Sequence, residues 1–222
     1  MTTSGLTPTA QDYLKVIWGA QEWSDEPVTT SALAERLGVS TPTVSEAVKR
    51  LAAKGLVSHP RYGSIALTES GRRAALDMVR RHRLLETFLV TYLGYGWDEV
   101  HEEAEILEHA VSAAFVDRLE RRLGRPTRDP HGDPIPSRDG ELPELPAVSL
   151  CELAEGAAGQ VARVSDADAE LLRYLSGAGI GLDGWITVVR HQAAAGVLTV
   201  EVDGRRVDLG LPAARAVWVV RK

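Results

Sequence analysis

Two histidines and four glutamates fall within nine residues in HEEAEILEH, positions 101–109. Successive residues of an α-helix turn by about 100°, so His101, Glu105, Glu108 and His109 gather within roughly a 100° arc of one face. Ala104, Leu107 and Val111 occupy the adjoining face, which puts the polar group at the margin of an apolar stripe. Two carboxylates one turn apart repel each other unless a proton or cation lies between them. Imidazole nitrogens with carboxylate oxygens form a donor set for a divalent metal ion, although an acidic helix face is also commonly solvated, and this stretch alone leaves both readings open. A second pair shifts the balance. In RRHRLLETFL, His82 and Glu86 stand four apart, the spacing at which two helical side chains can chelate one ion, and they supply ligands for a second site.

Hydrolytic chemistry is the sharpest competitor, because HEEAE begins like the H-E-x-x-H signature of zinc peptidases. The fifth position is Glu105 rather than histidine, so the paired zinc ligands are missing. The chain holds no G-x-S-x-G elbow and no G-x-x-x-x-G-K-[ST] phosphate loop. One cysteine, Cys151, excludes an internal disulfide and a multi-cysteine zinc cage. The expectation is a protein that binds metal through nitrogen and oxygen and is not an enzyme, with no small-molecule substrate.

The elements that must position these residues begin with an amphipathic helix carrying Tyr13, Leu14, Ile17 and Trp18 after the capping candidates Thr7 and Thr9. In VTTSALAERLGVSTPTVSEAVKRLAAKGLV, Leu33, Ala34 and Leu37 line one helix that Gly38 ends. Ser40 caps the next helix, Pro42 sits in its first turn, and Val44, Val48 and Leu51 form its buried stripe. LVSHPRYGSIALTESG follows, with short apolar stretches about a Tyr62-Gly63 turn. Helix, turn, helix and two-stranded wing together predict a winged helix-turn-helix. Helical pattern resumes over residues 70–92 and again over 97–123, where Leu107, Ala110, Val111, Ala114, Phe115 and Leu119 make a wide apolar stripe suited to subunit pairing. Residues 124–149 hold six of the eleven prolines and read as a linker or irregular crossing segment. Beyond it, VSLCEL, QVARV, GWITVVRH, GVLTVEVDG, RRVDLG and AVWVVRK are short β-type stretches interrupted by the helical DADAELLRYLSG, which predicts a small SH3-like barrel.

Charge is segregated along the chain. The formal net charge is −6, but residues 1–83 carry 11 basic against 8 acidic side chains, and the remainder 14 against 23. Ten of those basic residues lie between Arg36 and Arg83, so a basic surface for nucleic acid is compatible with an acidic total. No apolar run approaches the roughly 20 residues needed to span a bilayer, and the first residues lack the order of a secretory signal. The expected location is the cytoplasm, without membrane association.

With TPTVSEAVKRL, LTESGR, RRHRLLE, GYGWDEVHEEAEILEH, HGDPIP and a trailing barrel in this order, the chain resembles the diphtheria-toxin-repressor family of metal-dependent transcriptional regulators. The resemblance spans essentially the whole length. It implies a mainly α fold with β: a winged helix-turn-helix DNA-binding domain (1–72), a helical metal-binding and dimerisation domain (73–146, linker about 124–146), and an SH3-like, FeoA-like domain (147–222). It also implies a primary regulatory ion at Asp12, Glu105, Glu108 and His109. An ancillary ion falls to His82, Glu86 and His101 with Asp168, or failing that Glu170, from the third domain. Iron-responsive members place methionine where Asp12 stands and cysteine where Glu105 stands. At both positions this chain looks like the manganese-responsive branch, with Fe²⁺ as the alternative ion, and carboxylates with one imidazole suit Mn²⁺. Small two-domain manganese regulators have glutamate at the position of Lys15, so their closely bridged ion pair is not expected here. The implied partners are operator DNA and a second copy of the chain. Thr41, Thr43, Ser45, Glu46, Lys49 and Arg50 of the recognition helix face away from Val44 and Val48 and are the expected DNA contacts, joined by Arg61 and Tyr62 at the wing tip.

Overall fold

The computed structural model describes residues 5–24, 26–60 and 63–222. The chain forms two compact units, one of Met1–His82 with Pro136–Glu141, the other of Arg83–Ile135 with Leu142–Lys222.

In the first unit, α1 (Pro8–Trp23) starts at Thr7, whose side chain accepts from the Ala10 amide. Helix α2 (Thr30–Leu37) closes on Gly38 in the left-handed conformation at φ 64°. Helix α3 (Thr41–Ala53) starts from Ser40, whose hydroxyl accepts from the Thr43 amide with Pro42 in the first turn. These caps satisfy amides that the helices leave open. Leu14, Ile17, Leu33, Val44, Val48 and Leu51 are buried together with Ile65, so the period of apolar residues becomes one core. The wing is a pair of two-residue strands, β1 (Val57–Ser58) and β2 (Ala66–Leu67), paired antiparallel. Arg61 and Tyr62 lie outside the described residues. Helix α4 (Glu69–Phe88) begins in this unit.

In the second unit, the last part of α4 runs into a π-helical turn over Leu89–Leu93 that Gly94 ends at φ 74°. The helix expected over 97–123 is instead two: α5 (Val100–Glu108) and α6 (Ala113–Arg122). The break has a local cause. The Ala110 and Val111 amides both turn back to the Leu107 carbonyl, and Ser112 opens α6 by accepting from the Phe115 amide. A serine that caps better than it propagates, next to a β-branched valine, makes this the weak point of the stripe. Leu84, Leu85, Val100, Ala104, Val116, Leu119 and Ile135 form the core of this helical part.

The remaining strands build one six-stranded antiparallel sheet in the order β3-β8-β4-β5-β6-β7. They are β3 (Val148–Ser149), β4 (Ala158–Val164), β5 (Trp185–Gln192), β6 (Val197–Val202), β7 (Arg205–Gly210) and β8 (Val217–Arg221). Only two residues of VSLCEL are strand. Ser149 and Glu152 form a reciprocal capping box that winds Leu150–Glu152 into a 3-10 turn. Helix α7 (Ala169–Gly177) and the short α8 (Leu211–Ala216) complete this SH3-like layer, whose interior includes Val161, Leu172, Ile186, Val188, Leu198, Val200 and Val219. The β4–β8 register shifts between Val161 and Arg163, leaving Ala162 as an extra residue in β4. Among the described residues no helix is long and apolar enough to cross a membrane.

Candidate metal centres and nucleic-acid interface

Glu86, on the part of α4 that belongs to the second unit, is fully buried. One imidazole meets each of its oxygens: His101 Nδ1 lies 3.4 Å from Oε1, and His131 Nδ1 lies 3.8 Å from Oε2. His101, on α5, brings two further carboxylates together. Its Nδ1 is 3.0 Å from Asp166 Oδ2, and its Nε2 is 3.6 Å from Glu105 Oε1. His82 is buried one turn before Glu86 on the same helix.

This donor set fits a divalent ion. Nitrogen and oxygen ligands bind small dications such as Zn²⁺ and Mg²⁺ at about 2.1 Å, so donors sharing one ion stand about 3 Å apart when adjacent and about 4.2 Å when opposite. Ligand atoms of Glu86, His101 and Asp166 lie within 4.8 Å of one another, close to that spacing. Electrostatics agree. Burial alone would favour a neutral His101 ring, but hydrogen bonds to Asp166, Glu105 and Glu86 outweigh it and push the imidazole pKa up to about 12. Burial opposes the Asp166 charge, yet the hydrogen bond from His101 holds its carboxyl below the usual value. A proton thus stands where carboxylates crowd, and metal ligation requires that proton to leave.

Asp168, the expected contributor from the third domain, is not in this group. Its exposed carboxylate caps α7, accepting from the Glu170 and Leu171 amides at 2.9 and 3.1 Å, and Glu170 lies exposed in the first turn of that helix. Asp166, two residues earlier, takes the place beside His101. The sequence reading names Asp168 with Glu170 as fallback and not Asp166, although all three lie within SDADAE, and it is Asp168 that serves as the N-cap of α7.

The residues expected at the primary site divide between the units. Asp12 is half-buried on α1. In the second unit, Glu108 is fully buried at the end of α5, and His109 follows it as the C-cap with Nε2 3.7 Å from Glu108 Oε1. Glu105, expected with these two, is half-exposed and directed to His101.

Behind Glu86 lies a group that the sequence reading quoted in HGDPIP without assigning a role. Asp129 Oδ1 accepts from the His131 and Asp133 amides at 2.8 and 2.9 Å, folding residues 129–133 into a tight turn. Arg83 donates to the Pro134 carbonyl at 2.7 Å and to Asp133 Oδ2 at 3.1 Å, with its Nε 3.6 Å from Asp129. Arg163 of β4 pairs with the other Asp133 oxygen at 2.7 Å. All these side chains are buried. Burial raises the Asp129 carboxyl well above its usual value, with the neighbouring Asp133 and Glu86 charges acting in the same direction against Arg83 and His131. For His131, burial works toward the neutral ring, but Glu86 and then Asp129 prevail and push its pKa up to about 10.

On α3, Thr41, Thr43, Glu46, Lys49 and Arg50 are exposed and Ser45 is half-buried, opposite the buried Val44 and Val48. Arg50 and Glu46 form an exposed pair at 3.8 Å, too weak to hold either side chain away from a ligand. The face therefore presents hydroxyls, two cations and one carboxylate.

Three family models match consecutive parts of the chain: the iron dependent repressor N-terminal DNA binding domain at residues 5–65, the iron dependent repressor metal binding and dimerisation domain at 68–137, and the FeoA domain at 148–221. The iron-dependent repressor IdeR of Mycobacterium tuberculosis is 34% identical over 211 residues, covering 90% of each chain. The diphtheria toxin repressor of Corynebacterium efficiens is 31% identical over 224 residues, covering 96% of each. Among solved structures, a manganese-dependent transcriptional repressor in complex with manganese aligns at a TM-score of 0.92 and 57% identity, over 96% of this chain and all of that one. With the DNA-binding, metal-binding and FeoA models matched in order and these relatives aligned over nearly the whole chain, the chain belongs to the diphtheria-toxin-repressor family of metal-dependent transcriptional repressors.

Proposed function

We propose that this chain is a manganese-dependent transcriptional repressor that binds operator DNA as a metal-activated homodimer and controls metal-ion homeostasis genes such as those for manganese uptake. The observation that carries the choice of metal is the donor chemistry. Asp12 and Glu105 are carboxylates at the positions where the family resemblance implies sulfur for iron-responsive members, and oxygen with imidazole suits Mn²⁺ better than it suits the later, softer metals. The manganese named for the 57% identical solved structure supports the same reading. The iron named for the 34% identical curated relatives supports Fe²⁺ as the second reading.

In this scheme Asp12, Glu105, Glu108 and His109 hold the primary ion, and His82, Glu86, His101 and Asp166 the ancillary one. A bound ion supplies a positive centre on which carboxylates of different domains converge. Asp12 belongs to α1 and Glu108 to α5, so their joint ligation restrains the DNA-binding unit against the helical part of the second unit. Two recognition helices must lie about 34 Å apart to enter successive major grooves, and a restrained dimer has less orientational freedom to lose on binding. Metal and operator then strengthen each other's binding by the same factor. Apolar side chains left exposed on the helical part of the second unit, Leu93, Ile106 and Phe115, support pairing with a second copy. On α3, Lys49 and Arg50 neutralise phosphate while Thr41, Thr43, Ser45 and Glu46 reach phosphate or base edges, with Arg61 and Tyr62 as wing contacts.

The test is an operator-binding titration at fixed salt, comparing Mn²⁺, Fe²⁺, Co²⁺, Zn²⁺ and chelator under anaerobic conditions. The expected result is tight binding with Mn²⁺ and its loss on chelation. Equal binding after chelation overturns the reading, and preferential activation by Fe²⁺ selects the second one. Salt is held constant because phosphate contacts make affinity depend steeply on it.

A further inference from the structure

We propose that His131, in the HGDPIP segment, is a positioning residue for Glu86: it fixes the carboxylate that the ancillary ion needs without itself ligating that ion. This rests on the assignment of Glu86 to the ancillary site.

The ring is held from three sides. His131 Nε2 lies 2.6 Å from the Trp97 carbonyl. A carbonyl can only accept, so this nitrogen carries a proton and the ring orientation is set. The ring stacks on the Trp97 indole with centroids 6.1 Å apart. Its own amide and carbonyl are fastened too, the first donating to Asp129 Oδ1 and the second accepting from the Val164 amide at 2.8 Å. With Nε2 committed, Nδ1 faces Glu86 Oε2 at 3.8 Å. Nδ1 is fully buried and Glu86 Oε2 is the carboxylate oxygen it faces, a placement set by the Trp97 contacts and the two backbone bonds.

Glu86 is thereby flanked by imidazoles with different duties. Oε1 points to His101, a proposed ligand, and Oε2 to His131, which has the buried turn behind it. Carboxylate ligands held from behind keep their geometry toward the ion, and loss of such a partner typically weakens metal affinity about 10- to 100-fold. The turn is rigid for a stated reason. Gly132 has φ 88°, and a Cβ there would overlap the Ala162 carbonyl oxygen and stand 2.8 Å from Arg163 Cα, so the turn is seated directly on β4. Arg83 and Arg163, bound to Asp129 and Asp133, fix it laterally.

The test uses the full-length chain, Mn²⁺ as the probe, and calorimetric titration with electron paramagnetic resonance to count bound ions. The parent is expected to take two ions. H131F keeps the stack on Trp97 but has no ring nitrogen. It is expected to weaken one of the two ions by about 10- to 100-fold and leave the other unchanged. H131N places an amide nitrogen near the Nδ1 position and is expected to restore that affinity to within a few-fold of the parent. H131Q places its amide near the Nε2 position, reaches Trp97 but not Glu86, and is expected to behave like H131F. The proposal is overturned if H131F leaves both affinities unchanged, if it weakens both ions equally, or if H131Q rescues as well as H131N. Where H131F does not fold, the contrast between H131N and H131Q decides. E86Q separates the two levels of inference: if it still binds two ions, the ancillary-site assignment itself fails, whatever His131 does.

Discussion

Replacement of Gly132 by alanine tests the seating of the HGDPIP turn directly. Two costs add. At φ 88° an L-residue is disfavoured by roughly 1–2 kcal/mol relative to glycine. The second cost comes from contact, because the new methyl would overlap the Ala162 carbonyl and approach Arg163 Cα to 2.8 Å. Both are backbone atoms, so no rotamer change relieves the clash. Relief requires the turn to lift off β4, which breaks the 2.8 Å bond between the Val164 amide and the His131 carbonyl, about 1 kcal/mol. It also stretches the 2.7 Å Arg163–Asp133 pair, whose complete loss inside the protein costs roughly 3–5 kcal/mol. Partial stretching gives an expected destabilisation of about 3–5 kcal/mol for G132A. Gly204 is the control. It too has positive φ, 73°, but an added Cβ meets nothing within 4 Å, so G204A bears only the conformational cost. Metal-free urea unfolding followed by tryptophan fluorescence measures both, since Trp97 stacks against the turn and Trp218 lies under the Arg163 guanidinium. If G132A falls within about 1 kcal/mol of G204A, the turn is not seated as described, and the argument for a rigid support behind Glu86 fails with it.

Three further outcomes are expected. The double variant D12M/E105C exchanges oxygen for sulfur donors and should shift activation of operator binding from Mn²⁺ toward Fe²⁺; an unchanged metal preference in anaerobic titration would count against those two ligands. K49A should weaken operator binding similarly across sequences and lower the slope of log affinity against log salt by about 1, measured by fluorescence anisotropy, whereas an unaltered slope would remove Lys49 from the phosphate contacts. Arg128 engages both oxygens of Asp183 at 2.9 and 2.6 Å and holds that carboxyl below its usual value. A depressed folded-state pKa contributes stability above the unfolded value of about 3.9 and loses it as pH falls through the folded one. The pair is about half exposed, at 45% and 56%, so D183N should cost less than about 1 kcal/mol at pH 7 and converge with the parent in thermal unfolding as pH falls through the folded-state value. A difference that persists at pH 2 would assign Asp183 a role other than charge.

The caps and stripes of the first unit were legible because each is local: Thr7, Gly38, Ser40 and Pro42 act within four residues of where they stand. The six β-type stretches were legible for the same reason, with VSLCEL cut short by a capping box within its own six residues. What escaped was nonlocal or a matter of competition. The break at Ala110–Ser112 pits helix continuation against capping, and an apolar stripe that runs through both α5 and α6 hides it. Asp168 is taken up as the N-cap of α7 while Asp166 lies two residues before it, and two residues is within the margin of any boundary read from sequence. His131 lies 45 residues from Glu86, and nothing in HGDPIP by itself indicates that its histidine turns toward a helix so distant in the chain.

The extra residue in β4 carries a constraint on chain length. Ala162 has no counterpart on β8, and the residues on either side of it pair with consecutive positions, Val161 with Val219 and Arg163 with Trp218. Deleting it would restore a regular ladder and still leave a barrel. It would also remove the residue whose carbonyl Gly132 packs against, one position before the Arg163 that meets Asp133. A gain or loss of one residue at this point therefore acts on the contact between β4 and the turn behind Glu86. In this strand, spacing is inherited together with side-chain chemistry.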